Sequence, residues 1–139
     1  MSIYKSFGTD KNAEISGVWY VADTLEDGKE VRFKLARKGR MNKAFVKSLD
    51  KRVEPYRRAM ELNKLSTEKN NELGIEVFCE SILMAWENVI GREGKPLEFN
   101  FENAVQLMKD LPDLYDILNA KAMSADTFKD ESLKAVVKN

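Results

Sequence analysis

The pattern of hydrophobic and polar positions begins with two short runs that are rich in β-branched and aromatic residues. They are GVWYVA at 17–22 and EVRFKLA at 30–36, and an Asp27-Gly28 turn signal separates them. The second run alternates strictly, which gives a strand one apolar face and one charged face. An isolated hairpin is only marginally stable in water, so this one must pack on helices. The sequence therefore predicts a small N-terminal β-hairpin at about 17–36.

Apolar residues spaced three and four apart predict helices along the rest of the chain. The predicted helices span about 43–62, 67–90, 101–111 and 112–122. Asn42 is a suitable N-cap for the first of them, and Pro55 within it predicts a kink or a restart. The helix at 67–90 carries the longest apolar stripe, and we expect it to be the most buried element.

These elements predict a mainly α protein with a small β-hairpin, of the α+β class. We expect residues 1–123 to form a single compact domain, because 139 residues are too few for two well-formed cores. The remaining stretch, 124–139, carries few large apolar side chains. It is predicted to be a weakly packed C-terminal helix or arm.

Composition argues against most catalytic chemistry. The chain contains one Cys and no His. Without His there is no Ser-His-Asp or Cys-His catalytic site and no His metal ligand, and one Cys allows neither an internal disulfide nor a multi-Cys zinc site. We therefore expect a protein that is not an enzyme, with no catalytic residue, no cofactor and no metal.

Two acidic series and the lone thiol also carry no predicted chemistry. Glu72, Glu76 and Glu80 recur every four residues, but di-iron bundles need a Glu-x-x-His motif that this chain lacks, so a solvated helix edge is favoured. The Asp residues at 110, 113 and 116 lack the spacing of a calcium loop. Cys79 has no basic neighbour in sequence and is predicted to be a buried, inert thiol.

The start of the chain is polar, without the apolar core of a signal peptide, and no apolar stretch reaches the roughly 20 residues of a membrane span. We expect no membrane association and a location in the cytoplasm.

Charge is balanced over the whole chain, with 23 basic and 23 acidic side chains, but it is segregated along it. Residues 29–58 hold 12 Lys and Arg against 3 Asp and Glu, whereas residues 98–131 hold 3 against 8. The two segments are expected to pair, within or between molecules, and pairing between molecules predicts a homo-oligomer whose assembly is sensitive to salt.

The basic segment also predicts an alternative function, in which a small protein associates with nucleic acid through phosphate contacts. The candidate basic surface consists of Arg37, Lys38, Arg40, Lys43, Lys47, Arg57 and Arg58. The aromatic residues interleaved with these cations fall on the apolar sides of their elements, where core packing accounts for them. Protein binding is therefore favoured over nucleic-acid binding.

Several short motifs follow one another in the second half of the chain. In order they are W-E-N-V at 86–89, E-G-K-P-L at 93–97, Phe99, E-N at 102–103 and D-L-P-D-L-Y at 110–115. Upstream of them stand Thr9-Asp10-Lys11, G-V-W at 17–19, A-R-K-G at 36–39 and Asn42-Lys43. This order resembles that of the tail assembly chaperones of tailed bacteriophages, and the resemblance covers most of the chain.

The resemblance implies a small, mainly helical protein that acts in the host cytoplasm during phage assembly and is not part of the mature virion. Such proteins bind the tape-measure protein, shield its apolar helices and assist polymerisation of the tail-tube protein around it. Methionine-rich or aromatic helices that can repack would suit that role. The candidate partner-binding residues are Met84, Trp86, Met108, Leu111, Leu114 and Tyr115.

Overall fold

The computed structural model describes residues 2–129. In chain order, its helices and strands are α1 (Ile3–Phe7), α2 (Lys11–Ser16), β1 (Val18–Thr24), β2 (Glu30–Leu35), α3 (Lys43–Val53), α4 (Arg57–Glu61), α5 (Thr67–Ser81), β3 (Leu83–Glu87), α6 (Phe101–Asp110) and α7 (Pro112–Met123). Short 3-10 turns follow α3 and α7, at Glu54–Tyr56 and Ala125–Phe128. The predicted class, mainly α with a small β component, is confirmed.

The sheet is antiparallel, with the strand order β1-β2-β3. Tyr20 lies opposite Phe33, and Phe33 lies opposite Trp86, so one row of aromatic side chains crosses all three strands on the inner face. The rings of Phe33 and Trp86 meet edge to face, with their centroids 6.1 Å apart. This row fixes the sheet against the helical part of the core.

The prediction of one helix over 67–90 is wrong beyond Ser81. Helix α5 ends at Ser81, and the chain then forms strand β3, which pairs with β2. The buried indole of Trp86 donates a hydrogen bond from Nε1 to the carbonyl oxygen of Leu97 at 2.8 Å. The apolar run that continues the helical stripe in the sequence is a strand, because pairing with β2 satisfies its backbone while its side chains still reach the core.

Helices α3 and α4 form a bent pair around Pro55. The Asn42 side chain caps α3 by accepting the backbone N–H of Phe45 at 3.0 Å. The 3-10 turn at Glu54–Tyr56 absorbs the proline, which has no N–H to donate to a regular helix.

Helix α5 lies at the centre of the core. Five of its residues are buried, and α3 and α6 pack against it. The fully buried side chains of α6 and α7 are Ala104, Met108, Leu118 and Ala122.

The two ends of the described chain meet. The N–H of Asp10 donates to the carbonyl oxygen of Phe128 at 2.8 Å, and Thr9 and Lys129 form an isolated β-bridge. Phe128, which the sequence places in a weakly packed arm, is buried because it lies between this junction and Arg37. The rest of that predicted arm, 130–139, lies outside the described residues.

Candidate partner-binding surface

The six predicted partner-binding residues do not form one surface. Trp86 and Met108 are 8% and 0% exposed, so both belong to the core. Leu114 and Tyr115 are half-buried against it, and the Tyr115 ring packs edge-on against Phe78 with the centroids 5.2 Å apart. Burial raises the pKa of the Tyr115 hydroxyl. Only Met84 and Leu111 are substantially exposed, and they line different depressions.

Met84 lines the larger of two adjoining depressions, with volumes of about 850 and 800 Å³, which we call together the basic groove. Ile15, Met41 and Asn42 line both of them and make the groove continuous. Its other apolar lining residues include Phe7, Leu83, Phe99 and Phe101. Ile15 is 72% exposed and Met41 80%, so the groove presents large apolar side chains directly to solvent.

The walls of the groove are held by specific local contacts. Asp10 caps α2, which carries Ile15, and its carboxylate accepts the N–H groups of Asn12 and Ala13. Asn42 holds the segment that carries Met41, because its side-chain amide donates to the carbonyl oxygen of Arg37 at 2.9 Å.

The absence of a side chain at Gly17 makes room for Met84, which lines the groove from strand β3. Gly17 has φ +94°, and a Cβ atom there would lie 2.8 Å from the Met84 sulphur and 3.0 Å from Cγ of Lys34. Any side chain at this position would therefore be strained and would push Met84 out of the groove wall.

Both carboxylates that line the groove are already ion-paired. Glu14 pairs with Lys11 and Arg37 and accepts a hydrogen bond from Thr9. Glu80 pairs with Lys51 and Arg52. The cations among the lining residues are Lys11, Arg37, Lys38, Arg40, Lys43 and Arg52. The groove therefore has an excess of positive charge around an apolar floor.

The predicted basic surface divides into two parts. Arg37, Lys38, Arg40 and Lys43 all line the basic groove. Two of these four also serve the fold: Arg37 pairs with Glu14, and Lys38 donates to Asn119 Oδ1 at 2.9 Å. Burial lowers the pKa of Lys38. Arg40 and Lys43 are exposed and form no ion pair within residues 2–129.

The other predicted cations lie outside the groove. Lys47 is exposed further along α3, and Arg58 is exposed on α4. Arg57 pairs with Glu54 and Asp50, and the hydrogen bond from its guanidinium to Glu54 is the main cause of its raised pKa. The structure therefore does not bring the seven cations together into one continuous basic face.

The carboxylates at 72, 76 and 80 lie along one edge of α5, and each of them faces a cation. Arg52 reaches Glu76 at 3.2 Å and Glu80 at 2.8 Å, while Lys69 and Lys109 lie 3.7 and 4.0 Å from Glu72. No cluster of three or more Cys, Asp or Glu side chains within 2–129 has the arrangement of a metal site. Burial raises the pKa of the Cys79 thiol to about 12, so the thiol is protonated at neutral pH.

A separate depression, of about 580 Å³, lies outside the basic groove, between the turn at 91–96 and helix α6. Leu111 lines it with Ile90, Leu97 and Leu107, and an Arg92–Asp110 ion pair of 3.4 Å bridges its rim. Its charged lining residues are two cations and two carboxylates, whereas cations outnumber carboxylates in the basic groove.

Sequence reasoning missed the apolar residues Phe7, Ile15 and Met41. Ile15 stands alone in a polar stretch, whereas Phe7 and Met41 have apolar neighbours at helical spacing but lie outside the predicted elements. The sequence does show large apolar residues, Phe7 and Met41, shortly before the N-cap residues Asp10 and Asn42. Such an arrangement does not by itself indicate a binding surface.

A family model described as YdaY prophage protein matches residues 40–139. The match includes the Met41, Lys43 and Met84 walls of the groove as well as the motifs at 86–115. No curated protein and no solved structure matches the chain. None of the helices within residues 2–129 is both long enough and apolar enough to cross a membrane.

Proposed function

The chain belongs to the YdaY prophage protein family, and on that premise we propose that it is a tail assembly chaperone, which binds the tape-measure protein and assists tail-tube polymerisation. It would act in the host cytoplasm by protein binding alone, without catalysis or a cofactor, and would be absent from the mature virion. The prophage family supports a role in a phage life cycle, and the order of motifs between 83 and 115 supports the assignment to tail assembly.

The exposed apolar groove is the observation that carries this proposal. A tape-measure protein is long and helical, and its apolar faces would aggregate before the tail tube covers them. The groove offers Ile15, Met41 and Met84 as apolar contacts, and methionine side chains adapt to partners of different shape. Such a lining suits a chaperone that must bind several segments of one long protein.

The test is co-expression of the chain with a fragment of the tape-measure protein from the same prophage. We expect the chain to keep the fragment soluble and to elute with it in gel filtration. Ile15→Asp/Met41→Asp should abolish both effects, because two carboxylates would then stand on the apolar floor. Both positions are exposed, so the variant should fold, as circular dichroism would verify.

Leu62→Asp is the matched control. Leu62 is 54% exposed and does not line the groove, so this variant should protect the fragment as well as the unaltered chain does. Failure of the unaltered chain to solubilise the fragment, together with salt-dependent retention of DNA or RNA, would reject the proposal in favour of the nucleic-acid alternative.

A further inference from the structure

We propose that the basic groove selects one chemical class of partner, namely an amphipathic helix whose apolar stripe is flanked by carboxylates. This inference rests on the proposed chaperone function and specifies which segments of the partner the groove would take. The apolar stripe lies against Ile15, Met41 and Met84, and the flanking carboxylates face Arg40 and Lys43.

The charge of the groove is the first argument. Its two lining carboxylates, Glu14 and Glu80, each have at least two cationic partners in the chain. Arg40 and Lys43 have no such partner within the described part of the chain, and both stand exposed beside the apolar floor. A partner that brings carboxylates to these two cations gains attraction, whereas a basic partner is repelled.

The construction of the groove is the argument for a helix. Its apolar residues come from separate elements: Ile15 from α2, Met41 from the segment before α3, and Met84 from β3. Among all the lining residues only Leu83 and Met84 belong to a strand, and two residues are too few to pair with an extended peptide along the floor. A helix satisfies its own backbone hydrogen bonds and presents side chains at i, i+3, i+4 and i+7 to such a floor.

Aromatic geometry argues against a nucleic acid as the occupant. Stacking of bases needs an open aromatic face. The Arg52 guanidinium already lies over the Phe101 ring, 4.9 Å from its centroid, and Phe99 packs edge to face against Trp86. Phe7 is the exposed aromatic ring of the groove, and a single ring cannot stack successive bases. Phosphates would contact the cations of the groove but would leave Ile15 and Met41 exposed to water.

The experiment uses three synthetic helical peptides with the same apolar stripe, flanked by Glu, Gln or Lys, and measures their dissociation constants with the full chain by fluorescence anisotropy. We expect the Glu peptide to bind about tenfold more tightly than the Gln peptide at low salt, with the Lys peptide weakest. The difference should shrink at high salt, since the rim charges are exposed and screened.

Charge reversal of the chain provides the decisive comparison. Arg40→Glu/Lys43→Glu should invert the order, so that the Lys peptide binds most tightly. Arg58→Glu/Lys64→Glu changes the net charge equally at exposed positions outside the groove, and it should leave the order unchanged. Equal binding of the three peptides, or an order that Arg40→Glu/Lys43→Glu does not alter, would overturn the inference.

The tape-measure fragment separates this inference from the chaperone function. If the chain solubilises the fragment but shows no preference among the peptides, the function stands and the inference is wrong. If the chain binds the Glu peptide selectively but does not solubilise the fragment, the groove chemistry stands and the tape-measure protein is not its partner. Binding of an oligonucleotide that requires Arg40 and Lys43 but tolerates Ile15→Asp/Met41→Asp, without binding of the Glu peptide, would contradict both.

Discussion

Arg52 is the residue through which three helices interact. From α3, its guanidinium pairs with Glu76 and Glu80 on α5 and stacks on Phe101 at the start of α6. The Glu80 carboxylate also accepts the Ser48 hydroxyl at 2.6 Å. These contacts lie along one wall of the basic groove, so the stability of the wall depends on charged groups as well as on apolar packing.

The ionisation of Glu80 should make the fold sensitive to acid. Hydrogen bonds from Arg52, then from Ser48, hold the pKa of Glu80 at about 2, below its ordinary value of 4.5. A carboxyl group with a lowered pKa stabilises the fold fully above its ordinary pKa, and this stabilisation is lost as the pH falls through the folded value. The free energy of unfolding in urea should therefore decrease as the pH is lowered from about 5 to about 2.

Glu80→Gln should be less stable than the unaltered chain at pH 7 and should lose part of this acid sensitivity. Glu61→Gln is the matched control, because Glu61 is an exposed carboxylate that forms no ion pair within residues 2–129. Equal dependence on pH in the Glu80→Gln variant and in the unaltered chain would show that Glu80 does not carry the effect.

The sequence predicts the positions of these side chains but not their partners. The spacing of the carboxylates at 72, 76 and 80 places them on one edge of α5, and the structure has them there. Their pairing with Arg52 and Lys109 depends on how α3 and α6 pack against α5, which no local pattern specifies. For the same reason the sequence predicts Arg40 and Lys43 only as part of a basic surface, and their position beside Ile15 and Met41 in one groove follows from the structure alone.

At the scale of elements, several of the motifs that resemble those of tail assembly chaperones build turns and caps. Asn88 adopts φ +62°, and its side-chain amide donates to the carbonyl oxygen of Glu30 at 2.7 Å, which ties the end of β3 to β2. Gly94 adopts φ +76° in the following turn, and Pro112 occupies the first turn of α7. These motifs therefore lie where the chain changes direction, whereas the upstream motifs at 36–39 and 42–43 line the basic groove.

Strand β3 is the element that local patterns assign wrongly. The hairpin and helices α3 to α7 follow from alternation, caps and proline positions, which act locally, whereas the short helices α1 and α2 are not predicted. The run Leu83–Glu87 has apolar residues compatible with either a buried helix or a buried strand. Its conformation is decided by the free edge of β2, which lies about 50 residues earlier in the chain.

Substitution of Asn88 should separate its backbone role from its hydrogen bond. Asn88→Gly loses the bond to Glu30 but also removes the Cβ, whereas Asn88→Ala loses the bond and keeps a Cβ in the left-handed region without the polar side chain that lets Asn adopt it, at a cost of about 1 kcal/mol. Thermal unfolding should therefore rank the unaltered chain first, Asn88→Gly second and Asn88→Ala third.

Asn63 provides the control for the backbone contribution. It has φ +55°, and its side chain forms no hydrogen bond within the described residues. Asn63→Gly should be nearly neutral, while Asn63→Ala should lose about 1 kcal/mol. If the Gly and Ala variants at position 88 were equally destabilised, the left-handed conformation would not be the reason for asparagine there.

At the scale of the whole molecule, folding within residues 2–129 pairs part of the basic segment, but with carboxylates that lie outside the acidic segment. The cations of 29–58 pair with carboxylates such as Glu14, Glu76, Glu80 and Glu87. Among residues 2–129, no ion pair joins this segment to the acidic stretch that begins at 98. Exposed carboxylates on α7 and exposed cations on α3 therefore stay available to a second molecule.

Self-association should consequently be stronger at low salt than at high salt. The expected contact is between Lys43 and Lys47 of one molecule and Asp113 and Asp116 of another, all of which are exposed. Sedimentation velocity should show a larger weight-average coefficient at low ionic strength, because exposed charges attract over about 10 Å or more only when salt is dilute. Asp113→Lys/Asp116→Lys should give monomers at low salt.

A charge swap makes this expectation specific to the two segments. When Asp113→Lys/Asp116→Lys is combined with Lys43→Glu/Lys47→Glu, attraction between molecules should return, since both signs are exchanged. Glu26→Lys/Glu93→Lys reverses two exposed carboxylates outside the acidic segment, and it should associate as the unaltered chain does. A monomer of unchanged sedimentation coefficient at low and high ionic strength would exclude charge-driven assembly, and the groove would then remain the only surface through which we expect this protein to act.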